Sequence, residues 1–285
     1  MIEFPDVITI PLADWVDNIM SWLLNNLEGF FDAIGFVILQ VMLTVENFFL
    51  YLPWFVMIII IFAAGWKFIG KWYHGVGFAL MLFLIGTFGY WELSMRTLSL
   101  VLTAVIFALL IGLPMGIVMA RSDRAESIIK PILDMMQTMP SFVYLIPALM
   151  FFGLGKVPAI IATIIYAVPP VIRLTNVGIR TVDQEAVEAA RAFGANPRMV
   201  LFDVQLPLAK PSIMVGVNQT TMMALAMVVI GSMIGAKGLG MEVLLSINRI
   251  EVGRGFEAGI SIVLLAIIID RLTHSFAKSD YTNQE

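Results

Sequence analysis

TVDQEAVEAARAFGANPRMVLFDVQLP, residues 181–207, is a long, polar and strongly patterned stretch in a chain that is otherwise mostly oil. It lies between two long apolar segments, so it reads as a water-exposed loop with local structure of its own. Thr181 and Gln184 have the T-x-x-Q spacing of a capping box, which predicts a helix start. Asp183 and Glu185 stand in the first turn and Arg191 in the last, matching the helix dipole. Gly194 follows Phe193 at a position suited to positive φ, and Asn196-Pro197 reads as a second cap with proline at the first helical position. Leu206-Pro207 is expected to close that second short helix. Two helices on a tight turn also outline a DNA-reading motif. Against that, Asp183, Glu185, Glu188 and Asp203 match Arg180, Arg191, Arg198 and Lys210 one for one, and no nucleic-acid partner is expected.

The surrounding chain says what such a loop is attached to. Of 285 residues, 60% are hydrophobic and only 13% are charged, about half the charged share of a soluble domain. Apolar runs near 20 residues recur, which indicates an all-α polytopic membrane protein. With no cysteine, disulfides and thiolate metal sites are excluded. His74 and His274 are far apart in the sequence and flank apolar spans, so structural or interfacial roles are expected and no metal site. A net charge of −4 favours neither nucleic acid nor a polybasic membrane patch. Met1 to Pro11 carries Glu3 and Asp6 without a basic start, so no cleavable leader is expected.

Residues 12–34 place Asp14, Asp17, Asn18, Ser21, Asn25, Glu28 and Asp32 on one helical face and Trp15, Ile19, Trp22, Leu23 and Phe30 on the other. This predicts an amphipathic helix in the membrane interface. Glu46 and Asn47 interrupt the apolar run from 35, so a span there is not favoured. Spans are expected at about 48–67, 75–90, 97–120, 131–152, 157–174, 208–234 and 256–269. Pro140 and Pro147 interrupt the fourth, and Pro169-Pro170 fall near the end of the fifth. Alternating these spans puts 12 of the 17 basic residues on the side of the 181–207 loop. The five on the other side are Arg96, Lys156, Lys237, Arg249 and Arg254. The bias makes the loop and the C-terminus cytoplasmic and the acidic amphipathic helix external.

Within the loop, Glu188-Ala189-Ala190, three residues, Gly194, nine residues, Val204, one residue and Leu206-Pro207 resemble the EAA loop of ABC importer permeases. That pattern is EAA-x3-G-x9-I-x-LP, and valine for isoleucine is the one departure. The resemblance implies that Glu185, Glu188, Ala189, Ala190, Gly194, Leu206 and Pro207 couple the chain to a separate ATPase subunit. Residues 92–275 are similar to the five-helix core of type I importer permeases. The remaining parts are the segment 1–47, about two extra N-terminal spans in 48–91, and a cytoplasmic tail, 276–285. QTMPSFVYLIP at 137–147, GAKGLGMEV at 235–243, FEAGISIVLLAIIIDRLT at 256–273 and IPLADWVD at 10–17 resemble the glycine betaine/proline branch of that group. This implies a multi-pass permease of a bacterial cytoplasmic membrane for glycine betaine or related solutes such as proline betaine, carnitine, choline or proline. The implied partners are two ATPase subunits that carry the ATP and Mg, a second permease copy, and an extracytoplasmic substrate-binding protein.

Other motifs are weaker. Gly65 to Lys71 nearly spells a phosphate-binding loop, but Trp72 replaces the hydroxyl that would hold Mg²⁺. The chain is therefore expected to hold no nucleotide or cofactor and not to be an enzyme itself. Asn218, Gln219, Thr220 and Thr221 place polar groups inside a span, where helix-to-helix hydrogen bonding competes with a pathway role. Phe142 and Tyr144 offer aromatic faces suited to a quaternary ammonium, against ordinary packing. The pathway candidates are thus Phe142, Tyr144, Asn218, Gln219 and Thr221. Importers of other solutes, such as amino acids, remain an alternative. An ion-coupled transporter would place ionisable groups at mid-bilayer, yet Asp134, Glu257 and Asp270 all fall near span ends.

Overall fold

A computed structural model describes residues 11–278. Residues 1–10 and 279–285 lie outside the described residues, and with them the start of the IPLADWVD segment and most of the expected tail. The described residues form twelve α-helices and no strand. In order these are α1 (Leu12–Tyr51), α2 (Trp54–Ile69), α3 (Trp72–Thr87), α4 (Trp91–Arg121), α5 (Asp123–Thr138), α6 (Leu145–Phe152) and α7 (Lys156–Arg180). They continue as α8 (Gln184–Ala192), α9 (Pro197–Met199), α10 (Leu206–Gly231), α11 (Leu239–Arg249) and α12 (Val252–Lys278). Five of them, α1, α4, α7, the α9–α10 unit and α12, are long and apolar enough to cross a membrane, and the bent pair α5–α6 makes a sixth.

Several expected boundaries move. The span expected from Phe48 starts instead at Trp54, because Leu52-Pro53 is extended and ends α1; the residue before a proline is pushed out of helical geometry. Residues 35–47, not favoured as a span, belong to the continuous 40-residue α1, kinked at Leu27 and apolar enough to qualify. Glu46 does not interrupt it, because its carboxylate is buried and paired. Both α2 and α3 have 16 residues, or about 24 Å of helix each, short of the roughly 30 Å bilayer core. Their hairpin closes on glycines: a Cβ on Gly75 would sit 2.5 Å from the Phe62 carbonyl oxygen.

The centre is α7, packed between α4 and α10. Pro169-Pro170 do not end it; both are buried and the helix runs on to Arg180. Within a span, packing against neighbouring helices and small local adjustments of the backbone let a helix continue through proline. Glycine permits the close approach. A Cβ on Gly112 of α4 would meet Val171 at 2.4 Å, and one on Gly116 would meet Thr175 at 2.6 Å. On the other side Gly178 lies against Ala209 and Ser212, and Gly216 against Val171 and Leu174. Membrane helices associate through such packing because lipid supplies no hydrophobic drive between them.

The α5–α6 pair bends by 110° around Pro140, and up to that bend it runs alongside α7 from Arg180 to Tyr166. Asp123 pairs with Arg180, Asp134 with Arg173, and the Tyr144 ring meets Tyr166. The expected fourth span is therefore a broken one, crossing antiparallel to α7. The two ends of the bundle are thereby defined: the loop end, with Arg180 and Asp123, and the far end, with Lys156.

Candidate functional site

At the loop end, Arg180 ties three helices into a platform. Its guanidinium donates to Asn176 Oδ1 at 3.0 Å, to Asp123 Oδ1 at 2.8 Å and to the Met119 carbonyl at 3.0 Å, with Glu126 at 3.2 Å. The planar fork suits this role, since it presents several donors in fixed directions. From this platform the chain leaves α7 at Thr181. The expected capping box does not form, because α7 is still using Thr181, whose hydroxyl donates to the Val177 carbonyl at 2.8 Å. The cap is Asp183, which accepts from the Glu185 N–H at 2.9 Å.

The end of α8 is a Schellman motif. The Ala195 N–H reaches the Ala190 carbonyl and the Gly194 N–H the Arg191 carbonyl, with Gly194 at φ +86°. Asn196 then caps the next turn, accepting from the N–H groups of Arg198 and Met199. The second helix does not close at Leu206-Pro207. It passes through a π-helical stretch, Val200–Gln205, directly into α10, with Pro207 in the first turn of α10. A π turn bonds i to i+5, so the Leu206 N–H reaches the Leu201 carbonyl.

This hairpin has its own small core. Val182, Val187, Val200 and Leu201 are buried with Ile179 and Ala209, and Ala190 and Leu206 pack against them. The patterned residues consequently split into two sets. Ala190 and Leu206 face inward and hold the hairpin to α7 and α10. Glu185, Glu188, Ala189, Gly194 and Pro207 are exposed. Phe193 joins them at 94% exposure, with Met199 and Phe202 also exposed. The sequence reading passed over Phe193: three residues beyond Ala190 it continues the buried stripe on paper. It turns outward because α8 ends at Ala192. Between the hairpin and the platform lies a cavity of about 530 Å³ lined in part by Arg121, Arg180 and Arg191.

The five pathway candidates do not share one face. Tyr144 is buried, and its hydroxyl donates to the Met136 carbonyl. Asn218 donates to Asp270 Oδ1 at 3.0 Å and so faces α12. Thr221 donates to the Val217 carbonyl and borders a cavity of about 150 Å³ with Thr273. Phe142 and Gln219, in contrast, open to the outside of the protomer. The near-match to a phosphate-binding loop is the last turn of α2 and the turn to α3, with Gly70 at φ +79°.

At the far end, Glu46 of α1 receives Arg96 of α4 at 2.7 Å and Lys156 of α7 at 2.5 Å. Nearby, Phe31 of α1 stacks on Phe151 at 4.2 Å, and Gly35 lies against Phe152.

A family model described as "Binding-protein-dependent transport system inner membrane component" matches residues 112–279. The chain is 48% identical to the glycine betaine/carnitine transport permease protein GbuB of Listeria monocytogenes, covering 96% of this chain and 98% of that protein. It is 47% identical to the glycine betaine/proline betaine transport system permease protein ProW of Escherichia coli, covering 94% and 76%. It is 43% identical to the glycine betaine transport system permease protein OpuAB of Bacillus subtilis, covering 93% and 94%. Among solved structures, an inward-facing conformation of the MetNI methionine ABC transporter superposes with a TM-score of 0.60 at 19% identity, covering 67% of this chain and 95% of that one. With the family model matching more than half of the sequence and these relatives matching nearly all of it, the chain belongs to the binding-protein-dependent transport system inner membrane components, the permeases of ABC importers.

Proposed function

We propose that this permease carries glycine betaine or a closely related compatible solute across a bacterial cytoplasmic membrane. The observation that carries the substrate is identity of 43–48% over nearly the whole chain to three permeases named for glycine betaine. The 181–207 hairpin couples the chain to ATPase subunits. Its exposed residues, Glu185, Glu188, Ala189 and Phe193, form the docking edge, and Ala190, Gly194, Leu206 and Pro207 set its shape. Support comes from the separate small core of the hairpin and from an aromatic ring left 94% exposed beside a carboxylate. Two permease copies and two ATPases assemble, with an extracytoplasmic binding protein delivering the solute. ATP and Mg²⁺ bind the ATPases and not this chain.

The loop end is cytoplasmic and the far end external. The basic residues support this placement, since Arg121, Arg173, Arg180, Arg191 and Arg198 gather at the loop end. The amphipathic part of α1 lies on the external surface. In support, Phe31, Gly35 and Glu46, widely spaced along α1, touch the short far-end segment from Phe151 to Lys156. Of the pathway candidates, Phe142 and Gln219 line the route, since they open away from the protomer, whereas Tyr144, Asn218 and Thr221 serve packing.

The test is uptake of radiolabelled glycine betaine by the reconstituted complex, with ATPase co-purification measured in parallel. Glu188→Arg is expected to lower both by at least tenfold, since reversing a docked charge costs about 2–5 kcal/mol. Phe193→Ala is expected to lower both less severely. Normal co-purification and uptake in both variants would remove the docking role. Uptake of an amino acid in preference to betaine would remove the substrate.

A further inference from the structure

Far apart in the sequence, His74 and His274 line one cavity of about 730 Å³ between the α2–α3 hairpin and α12. Lys71 and Arg271 line it too, over an apolar floor that includes Phe78 and Ile267. The fold brings them together in two steps. Gly70 at φ +79° reverses the chain, and the backbone contact of Gly65 with Gly75 closes the hairpin, which aims the first turn of α3 at α12. On α12, Ile267, Arg271 and His274 fall at gaps of four and three and share a face.

Positive charge is in surplus there. Among the described residues Lys71 makes no ion pair, and its Nζ lies 5.7 Å above the Tyr73 ring. Among the described residues Arg271 pairs with Asp270 alone, at 3.9 Å, and Asp270 already accepts from Asn218. His74 Nδ1 is buried without a hydrogen-bond partner. Two cations and two imidazoles around one cavity make a site suited to an anion. Ammonium, guanidinium and imidazole together suit a phosphate group, which offers several acceptor oxygens. The apolar floor would be of no use to a free anion, but it matches the upper part of an acyl chain.

We infer that this cavity seats the phosphodiester headgroup of an anionic phospholipid from the leaflet next to the 181–207 loop. A basic pocket between membrane helices is a recognised way of holding such a headgroup. The choice of leaflet rests on the orientation proposed above; the binding itself does not.

The test uses the full chain, delipidated in neutral detergent and titrated with phosphatidylglycerol or phosphatidylcholine while bound lipid is counted by native mass spectrometry. Phosphatidylglycerol is expected to bind preferentially. The double variant Lys71→Gln/Arg271→Gln is expected to lose affinity on the order of thirtyfold, from two basic contacts. Arg249→Gln, an exposed base at the far end, is expected to change nothing. Retained binding in Lys71→Arg would show that the loss follows charge and not misfolding. Unchanged binding in the double variant, or an equal loss in Arg249→Gln, overturns the site. Displacement of phosphatidylglycerol by millimolar inorganic phosphate overturns the lipid assignment in favour of a free anion. Preferential phosphatidylglycerol binding in a chain whose loop proves external supports the headgroup site and overturns only the leaflet.

Discussion

Glu46 shows how one side chain can be misread along the chain and correctly read only in space. In the sequence it interrupts an apolar run. In the structure it is 3% exposed and accepts from both Arg96 and Lys156, tying α1 to the starts of α4 and α7. Removing it leaves Lys156 without this partner and Arg96 with Glu92, at a site where both cations are mostly buried. Glu46→Ala is expected to cost about 3–5 kcal/mol, read as a lowered melting temperature of the purified chain, and Glu46→Gln less. Unchanged melting in both would mean that the pairs contribute nothing net. Gly194 poses a different question, because a Cβ there would meet open space and the constraint is φ +86° alone. Gly194→Ala is expected to cost about 1–2 kcal/mol of backbone strain and to slow uptake, while Gly194→Asn, at home in that conformation, retains it. Equal uptake by the two variants would show that the positive φ is dispensable for coupling.

Among elements, the join of α4 to α7 rests on Gly112 and Gly116, a small-xxx-small pair that the sequence displays openly and that can be assigned only once its partner helix is known. Gly116→Ala would drive a methyl to 2.8 Å from the Ile172 carbonyl oxygen, a backbone atom that cannot turn aside. It is expected to destabilise the chain by about 1–3 kcal/mol through overpacking. Gly77→Ala on α3, where the added methyl meets nothing within 4 Å, serves as the contrast and is expected to be neutral or stabilising by up to about 1 kcal/mol. Similar melting temperatures for the two variants would refute the packing argument. The caps of the 181–207 hairpin divide along the same line. Gly194 and the Asn196-Pro197 pair are local, set by φ and by side-chain reach, and were legible. The start of α8 was not, because Thr181 is claimed by the preceding helix, whose end is set by the Arg180 platform. Likewise Pro169-Pro170 read as a helix end from local rules alone, and only the packing of α7 between α4 and α10 shows the helix running through them.

For the whole molecule, orientation is the property that decides how ATP on one side drives solute across from the other. The chain has no cysteine, so single cysteines report sidedness directly. Arg249→Cys and Trp15→Cys are expected to react with a membrane-impermeant maleimide in intact cells, and Phe193→Cys only in inverted vesicles. The reverse pattern would overturn the proposed orientation. What the sequence by itself determined is what depends on near neighbours and on solvent: spanning helices from apolar runs, a water-exposed hairpin from its polarity and caps, and family membership from the spacing between Glu188 and Pro207. What only the tertiary structure decided is what depends on which helices meet. Glu46 is a ligand for two cations because α4 and α7 begin beside it. Phe193 is an outward ring because α8 stops one residue before it. His74 and His274 share a cavity because a glycine-closed hairpin leans on α12. Periodicity assigns a residue to a face of its own helix, but the neighbour covering that face is set by the packing of the whole bundle.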